Sequence, residues 1–145
     1  MENNPSIQME KLIREICSKV KSEGRKVLKE FNISPAQFDV LQTVYFKGPK
    51  MLSDISKRLG VTKSTTTGLI RRLEIAGYLV REKSKKDKRV YVVQITQEGT
   101  NIIENVIKNR VKLMEKVYEK LGEKERSIEI LSEINKILNE KRGEI

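Results

Sequence analysis

The sequence predicts a mainly α-helical fold with one small β-hairpin. Apolar side chains recur with the 3.6-residue period of a helix over most of the 145 residues. A glycine-bearing turn joins two short helical segments near the middle of the chain, and a stretch rich in β-branched and aromatic residues follows them. The predicted order is four helices, a hairpin and two further helices.

The first two helices are predicted from an apolar stripe and from a capping motif. The stripe covers residues 7–31, where Gly24 marks a bend, a close approach by another helix, or an ordinary surface position. The second helix begins after Ser34, because Ser34, Pro35 and Gln37 form a capping box with proline at the first helical position. It is expected to end near Phe46.

The next two helices form a helix-turn-helix candidate. They are predicted over about 52–59 and 63–76, with Gly60 in the turn between them. Thr62 is expected to cap the second of them, because a threonine oxygen at this position accepts from an amide of the first turn.

A hairpin and two helices complete the chain. Residues 78–81 and 90–95 are predicted strands, joined by a charged tip over 82–89. Thr96 is expected to cap a helix with an apolar stripe from Ile103 to Leu121, and a last helix follows Gly122.

The composition excludes several classes of function. The chain has one cysteine and no histidine, so an internal disulfide, the usual zinc sites and histidine-based catalysis are excluded. No nucleophile motif or phosphate-binding loop is present, and we predict neither an enzyme nor a cofactor or metal site. No apolar run approaches the roughly 20 residues that span a bilayer. The polar N-terminus does not resemble a secretory signal, so we expect a cytoplasmic protein.

The positive charge is concentrated in the middle of the chain. Lysine plus arginine against aspartate plus glutamate is 7 to 6 over residues 1–46, 13 to 4 over 47–89, and 10 to 10 over 90–145. Nine of the ten surplus charges therefore lie in 47–89, which creates a local field suited to a polyanion. The predicted partner is nucleic acid.

The helix predicted over 63–76 divides into two faces. Thr66, Leu69, Ile70 and Leu73 form the inner face. The candidate DNA-contacting residues are on the other side: Lys63, Ser64, Thr65, Thr67, Gly68, Arg71 and Arg72. Such a helix fits a major groove about 12 Å wide. The alternative interpretation of the Ser/Thr run is a solvated helix start without contacts.

The hairpin tip supplies the second group of candidates. Residues 81–89 hold six basic and two acidic residues, and the DNA-contacting candidates are Lys83, Lys85, Lys86, Asp87, Lys88 and Arg89. The lysines are suited to phosphates, and an arginine is suited to a narrow minor groove. A basic run is also typical of a solvated loop, but its position between two strands favours contact with a duplex.

Residues 34–99 resemble the winged helix-turn-helix core of the MarR family of transcription regulators. The matching motifs are residues 52–62, 69–80, 87–89 and 95–99. In this family the wing arginine contacts the minor groove and an aspartate helps to hold it, which implies these roles for Arg89 and Asp87. Gly68 and Thr66 depart from the family pattern, so no operator sequence is implied.

The resemblance also implies how the chain is organised. Residues 1–33 and 97–145 would be N- and C-terminal dimerisation helices around a DNA-binding domain at 34–96. Their apolar stripes are too extensive for the central core to cover, which independently favours a homodimer. A two-fold dimer implies double-stranded DNA with a pseudo-palindromic operator. The expected protein is a repressor, relieved by a small aromatic or phenolic ligand.

Two alternatives remain at this point. The basic segment also suits a sequence-nonspecific architectural protein that binds DNA or RNA. Cys17 lies in the first helix, where some family members sense oxidants, but its spacing with Ile13, Ile16 and Val20 favours a buried apolar position.

Overall fold

The computed structural model describes residues 3–143 and confirms the predicted order of elements. The helices and strands are α1 (Pro5–Leu28), a short 3-10 helix (Lys29–Phe31), α2 (Pro35–Lys47), α3 (Leu52–Leu59), α4 (Lys63–Ile75), β1 (Leu79–Lys83), β2 (Tyr91–Ile95), α5 (Gln97–Lys120) and α6 (Lys124–Gly143). None of these helices is long and apolar enough to cross a membrane within the described part of the chain.

The helix starts follow from local capping. Asn4 accepts a 2.9 Å hydrogen bond from the Ser6 amide, so α1 begins two residues before the predicted start. The predicted capping box of α2 is present: the Gln37 amide donates to Ser34 Oγ at 3.1 Å, and the Ser34 amide donates to Gln37 Oε1 at 2.8 Å. The end of α1 is earlier than predicted, because residues 29–31 tighten into the 3-10 helix.

The first strand of the hairpin extends further than predicted, and the tip is correspondingly shorter. β1 and β2 pair antiparallel, with Leu79 opposite Ile95 and Lys83 opposite Tyr91. Glu82 and Lys83 therefore belong to a strand, although the sequence placed them in the tip. Lys50 exchanges backbone hydrogen bonds of 3.1 and 2.7 Å with Val93, which adds a short third segment beside β2.

One hydrophobic core holds the central elements together. It contains apolar residues of α2, α3 and α4, joined by Leu79 and Val93 of the hairpin. The first half of α5 adds Ile102, Ile103 and Val106, which have at most 1% exposure. Ile102 was not part of the predicted stripe.

Thr96 links the hairpin to α5. Its hydroxyl donates to the Gly77 carbonyl at 2.7 Å and accepts from the Gly99 amide at 3.1 Å. The predicted cap of this helix is therefore confirmed. A side chain at Gly99 would collide with the Tyr78 carbonyl, so close packing accounts for this glycine.

The chain divides into two compact units, Met1–Arg110 and Val111–Ile145. The first contains the core described above. The second comprises the end of α5 and all of α6. Most of its described large apolar side chains are exposed in the single chain: Val111, Met114, Val117, Tyr118, Leu121, Ile128, Ile130, Leu131, Ile137 and Leu138.

Candidate nucleic-acid interface

The helix-turn-helix is formed by α3, a tight turn and α4. Gly60 adopts φ 68°, a left-handed conformation that glycine enters without the steric cost of a side chain. Thr62 caps α4, because its hydroxyl oxygen accepts from the Thr65 amide at 3.2 Å. The predicted turn and cap are therefore both confirmed.

A buried hydrogen bond connects the two helices of this motif. Ser56 Oγ on α3 donates to Thr66 Oγ1 on α4 at 2.9 Å, and Thr66 Oγ1 donates to the Thr62 carbonyl at 3.0 Å. Thr66 is fully buried and Ser56 is nearly so. This pairing explains why a hydroxyl stands at the inward position 66, because Ser56 needs a buried acceptor there.

The other face of α4 carries the predicted contact residues. Lys63, Ser64, Thr65, Thr67, Arg71 and Arg72 are exposed, and Gly68 is partly exposed. Leu69, Ile70 and Leu73 are buried with Thr66, as predicted. The helix therefore presents hydroxyls, positive charges and one bare stretch of backbone to solvent.

Several of these hydroxyls already have partners within α4. Thr67 Oγ1 donates to the Lys63 carbonyl at 2.8 Å, and Thr62 Oγ1 donates to Thr65 Oγ1 at 2.9 Å. A hydroxyl has a single proton. While Thr67 donates that proton to the Lys63 carbonyl, its oxygen can therefore accept a hydrogen bond from another group but cannot donate one.

The hairpin of β1 and β2 with its connecting turn forms the wing. The tip of the wing is a compact turn organised by Ser84. Its Oγ accepts from the amides of Lys86 and Asp87 at 3.2 and 3.4 Å. The Ser84 amide donates to the Val90 carbonyl at 2.8 Å, which closes the turn. The basic candidates Lys83, Lys85, Lys86, Lys88 and Arg89 are all exposed on this hairpin.

Asp87 holds Arg89 through both side chains and the backbone. Arg89 Nε lies 3.1 Å from Asp87 Oδ1, Arg89 Nη2 lies 3.2 Å from Oδ2, and the Arg89 amide donates to Oδ1 at 3.1 Å. The side-chain and then the backbone hydrogen bonds from Arg89 lower the pKa of Asp87 below its ordinary value. The contact that the resemblance implied for these two residues is therefore present.

An ion pair holds α4 next to the first strand of the hairpin. Arg81 Nε on β1 forms a 3.0 Å ion pair with Glu74 Oε1 near the end of α4. Thr67 and Tyr91 line the same small pocket of about 110 Å³ between α4 and the strands. The Glu74–Arg81 pair was not predicted from the sequence, where opposite charges on adjoining elements were the available signal.

A cleft lies in the first unit, between α1, α2 and α5. It has a volume of about 400 Å³, and its lining includes Phe38, Gly24 and Arg110. Arg110 Nε lies 2.8 Å from where a Cβ of Gly24 would stand, so of the three alternatives for this glycine the structure supports a close approach by another helix.

Arg110 is a cleft residue that the sequence analysis did not identify. Its Nε is buried without a hydrogen-bond partner among the described residues, and this burial lowers the pKa of the guanidinium. The signal in the sequence was Gly24, whose missing side chain leaves room for an arginine.

Cys17 also lines this cleft, but the prediction that it is buried was wrong. The thiol is exposed in the single chain, as are its stripe neighbours Ile13 and Ile16. The C-terminal end of the stripe, including Val27 and Leu28, packs against the core of the same chain, whereas the part around Ile13 and Ile16 stays exposed.

A helix-turn-helix followed by a two-stranded wing defines the winged helix-turn-helix class. The sequence profile of the MarR family matches residues 33–91. A transcriptional regulator from Thermotoga maritima, Tm0710, is 45% identical, with a TM-score of 0.82 over 94% of this chain and 97% of that one. This chain belongs to the MarR family.

Two further relatives agree with this assignment. A MarR family protein from Bacillus stearothermophilus has 28% identity and a TM-score of 0.79, over 95% of each chain. The uncharacterized HTH-type transcriptional regulator YsmB of Bacillus subtilis is 34% identical over 96 residues, which are 66% of each protein. Tm0710 and YsmB are both named as transcriptional regulators, so the prediction that the chain is not an enzyme is confirmed.

Proposed function

We propose that the chain is a homodimeric transcription regulator that binds double-stranded DNA in a sequence-specific manner. Residues 34–96 bind the DNA, while 1–33 and 97–145 form the dimer in the cytoplasm. The observation that carries this proposal is the pairing of an exposed polar face on α4 with a wing whose Arg89 is held by Asp87. α4 enters the major groove, and Arg89 enters the adjacent minor groove.

The distribution of charge supports the same partner. Of the 17 charged residues in 47–89, 13 are basic, and the exposed lysines of the wing are suited to phosphate contacts. The S. aureus protein MepR shares this fold at 23% identity and a TM-score of 0.67, and its structure is that of a complex with DNA, which supports DNA as the partner.

The apolar side chains of the two flanks support a homodimer. In the first unit, Leu12 and Ile16 of α1 are more than half exposed, and in the second unit Leu131 is 62% exposed. Large apolar surfaces of this kind are typical of protein interfaces. A second copy of the chain covers them, and its two-fold symmetry implies a pseudo-palindromic operator with half-sites roughly 34 Å apart.

Sedimentation equilibrium tests the dimer directly. At micromolar concentration we expect twice the mass of the chain. Leu131→Glu is expected to favour the monomer, because a charge would be buried at the interface. Ile75→Glu, which alters an exposed apolar residue of α4, serves as the control and should remain dimeric. A monomeric wild-type protein would contradict the proposal.

The cleft between α1, α2 and α5 supports regulation by a small ligand. Its volume of about 400 Å³ suits a small aromatic or phenolic compound, and Arg110 Nε offers a buried donor that has no partner among the described residues. Ligand binding relieves repression, in which the bound dimer blocks access to a promoter.

A sequence-nonspecific architectural protein that binds DNA or RNA is the alternative, favoured by the density of lysine in the wing. A titration against duplexes of different sequence and against RNA separates the two. The regulator is expected to prefer one duplex over its shuffled version at every salt concentration. Equal affinities with a steep salt dependence would instead support nonspecific binding.

A further inference from the structure

Gly68 occupies an unfavourable position for a glycine. It lies near the middle of α4, which runs from Lys63 to Ile75. Glycine in a helix interior lowers folding stability relative to alanine, because a glycine residue loses more conformational freedom when the chain folds. A glycine kept at such a position needs a physical reason.

The chain itself contains no such reason among its described residues. Gly68 does not adopt the positive φ that explains Gly60 and Gly77. A Cβ at position 68 would meet no atom within 4 Å, in contrast to Gly24 and Gly99, where neighbouring groups stand in the way. Alanine would therefore fit without strain, and the folded chain gains nothing from glycine.

Gly68 instead lies along the centre of the outward surface of α4. At about 100° per residue, Ser64, Arg71 and Ile75 lie within about 60° of it around the helix axis. Thr66, Ile70 and Leu73 are buried on the opposite side. The missing side chain leaves a notch with the Ser64 and Arg71 side chains on the same surface.

We propose that this notch receives the C5-methyl group of a thymine in the operator. The proposal rests on the proposed function, in which this surface of α4 faces the major groove. Among the base edges in that groove, the thymine methyl is the apolar group that projects towards the protein. Because the notch has no polar side chain, it fits this methyl by shape, and a methyl group added to the protein at position 68 would occupy the same space.

The direct test compares wild type with Gly68→Ala on the duplex that wild type selects from random DNA. We expect Gly68→Ala to raise the urea midpoint of unfolding, because alanine favours the helix. Its affinity for the duplex is expected to fall by roughly tenfold or more, since a methyl group must be accommodated in a filled space.

Replacing single thymines by deoxyuridine locates the contact. At one position in each half-site, loss of the base methyl is expected to weaken wild type but to remove most of the Gly68→Ala defect. Gly122→Ala is the matched control, because its Cβ also meets no atom within 4 Å and it lies in the other compact unit. It should leave DNA affinity unchanged.

The outcomes that overturn this inference differ from those that overturn the proposed function. Gly68→Ala binding within about twofold of wild type, or a defect equal on every deoxyuridine duplex, rules out the thymine notch. A wild-type protein without preference for the selected duplex over its shuffled version rules out sequence-specific binding itself.

Discussion

Arg89 and Asp87 form a two-point contact at the tip of the wing, with Nε 3.1 Å from Oδ1 and Nη2 3.2 Å from Oδ2. The arginine side chain is nevertheless 90% exposed. An exposed ion pair contributes little to folding stability, so its main consequence is orientation. Asp87 limits the directions of the guanidinium before any DNA is bound, which reduces the entropy lost on binding.

Arg89→Ala is therefore expected to weaken specific binding by about 1 to 3 kcal/mol, because the minor-groove contact is removed. Affinity for the selected duplex, measured by fluorescence anisotropy at several salt concentrations, checks this. Lys88→Ala is the control, since it removes a neighbouring positive charge that has a phosphate role in the proposal. It should mainly flatten the salt dependence. Unchanged affinity of Arg89→Ala at every salt concentration would exclude the wing arginine from the mechanism.

The pH dependence of binding is expected to be flat near neutrality. The hydrogen bonds from Arg89 lower the pKa of Asp87 below its ordinary value of about 4. The ionised carboxylate of Asp87 therefore stabilises the folded wing. This stabilisation is fully present above the ordinary pKa of an aspartate and is lost as the pH falls through the lowered pKa of Asp87 in the folded state. The chain has no histidine. At fixed ionic strength we expect constant affinity between about pH 5.5 and 7.5, and a titration midpoint inside that interval would contradict this.

The Ser56–Thr66 hydrogen bond is expected to contribute to the stability of the helix-turn-helix. Thr66→Val should lower the free energy of unfolding by about 1 to 3 kcal/mol, because it leaves the buried Ser56 hydroxyl without its acceptor. Ser56→Ala should cost less, about 0.5 to 1.5 kcal/mol, because Thr66 Oγ1 still donates to the Thr62 carbonyl. The double variant should lose less than the sum. Thr67→Val is a matched control, since Thr67 also donates to a carbonyl four residues earlier but is exposed. Additive losses in urea unfolding would show that the two hydroxyls are not coupled.

Arg110→Met is expected to raise the thermal stability of the protein and to abolish its stabilisation by a ligand. The substitution removes a partly buried charge and keeps an apolar side chain, so the thermal midpoint should rise. Phenol or benzoate is expected to stabilise wild type by mass action but not this variant. Arg14→Met, an exposed change outside the cleft, should respond as wild type does. An equal response in Arg110→Met would remove the arginine from the ligand site.

The sequence predicted those features that depend on neighbouring residues. The capping box at Ser34, the cap at Thr62 and the inward face of α4 are all local, and the structure confirms each of them. The Asp87–Arg89 contact spans two residues, and the resemblance was sufficient to identify it.

The features that the sequence did not reveal involve residues far apart in the chain. Arg110 enters the cleft because Gly24, 86 positions earlier in the sequence, leaves room for its side chain. Lys50 extends the sheet by pairing with Val93, and neither residue has a local pattern that announces this. Cys17 was wrongly placed in the interior, because a helical stripe identifies an apolar face but not whether the same chain covers it.

Selection of bound fragments from random double-stranded DNA tests sequence-specific binding by a dimer most directly. We expect a pseudo-palindrome with half-sites about one helical turn apart, since a two-fold dimer presents two copies of α4 and two wings. Recovered fragments without a shared motif, or with a single motif lacking its inverted copy, would contradict binding by a symmetric, sequence-reading dimer.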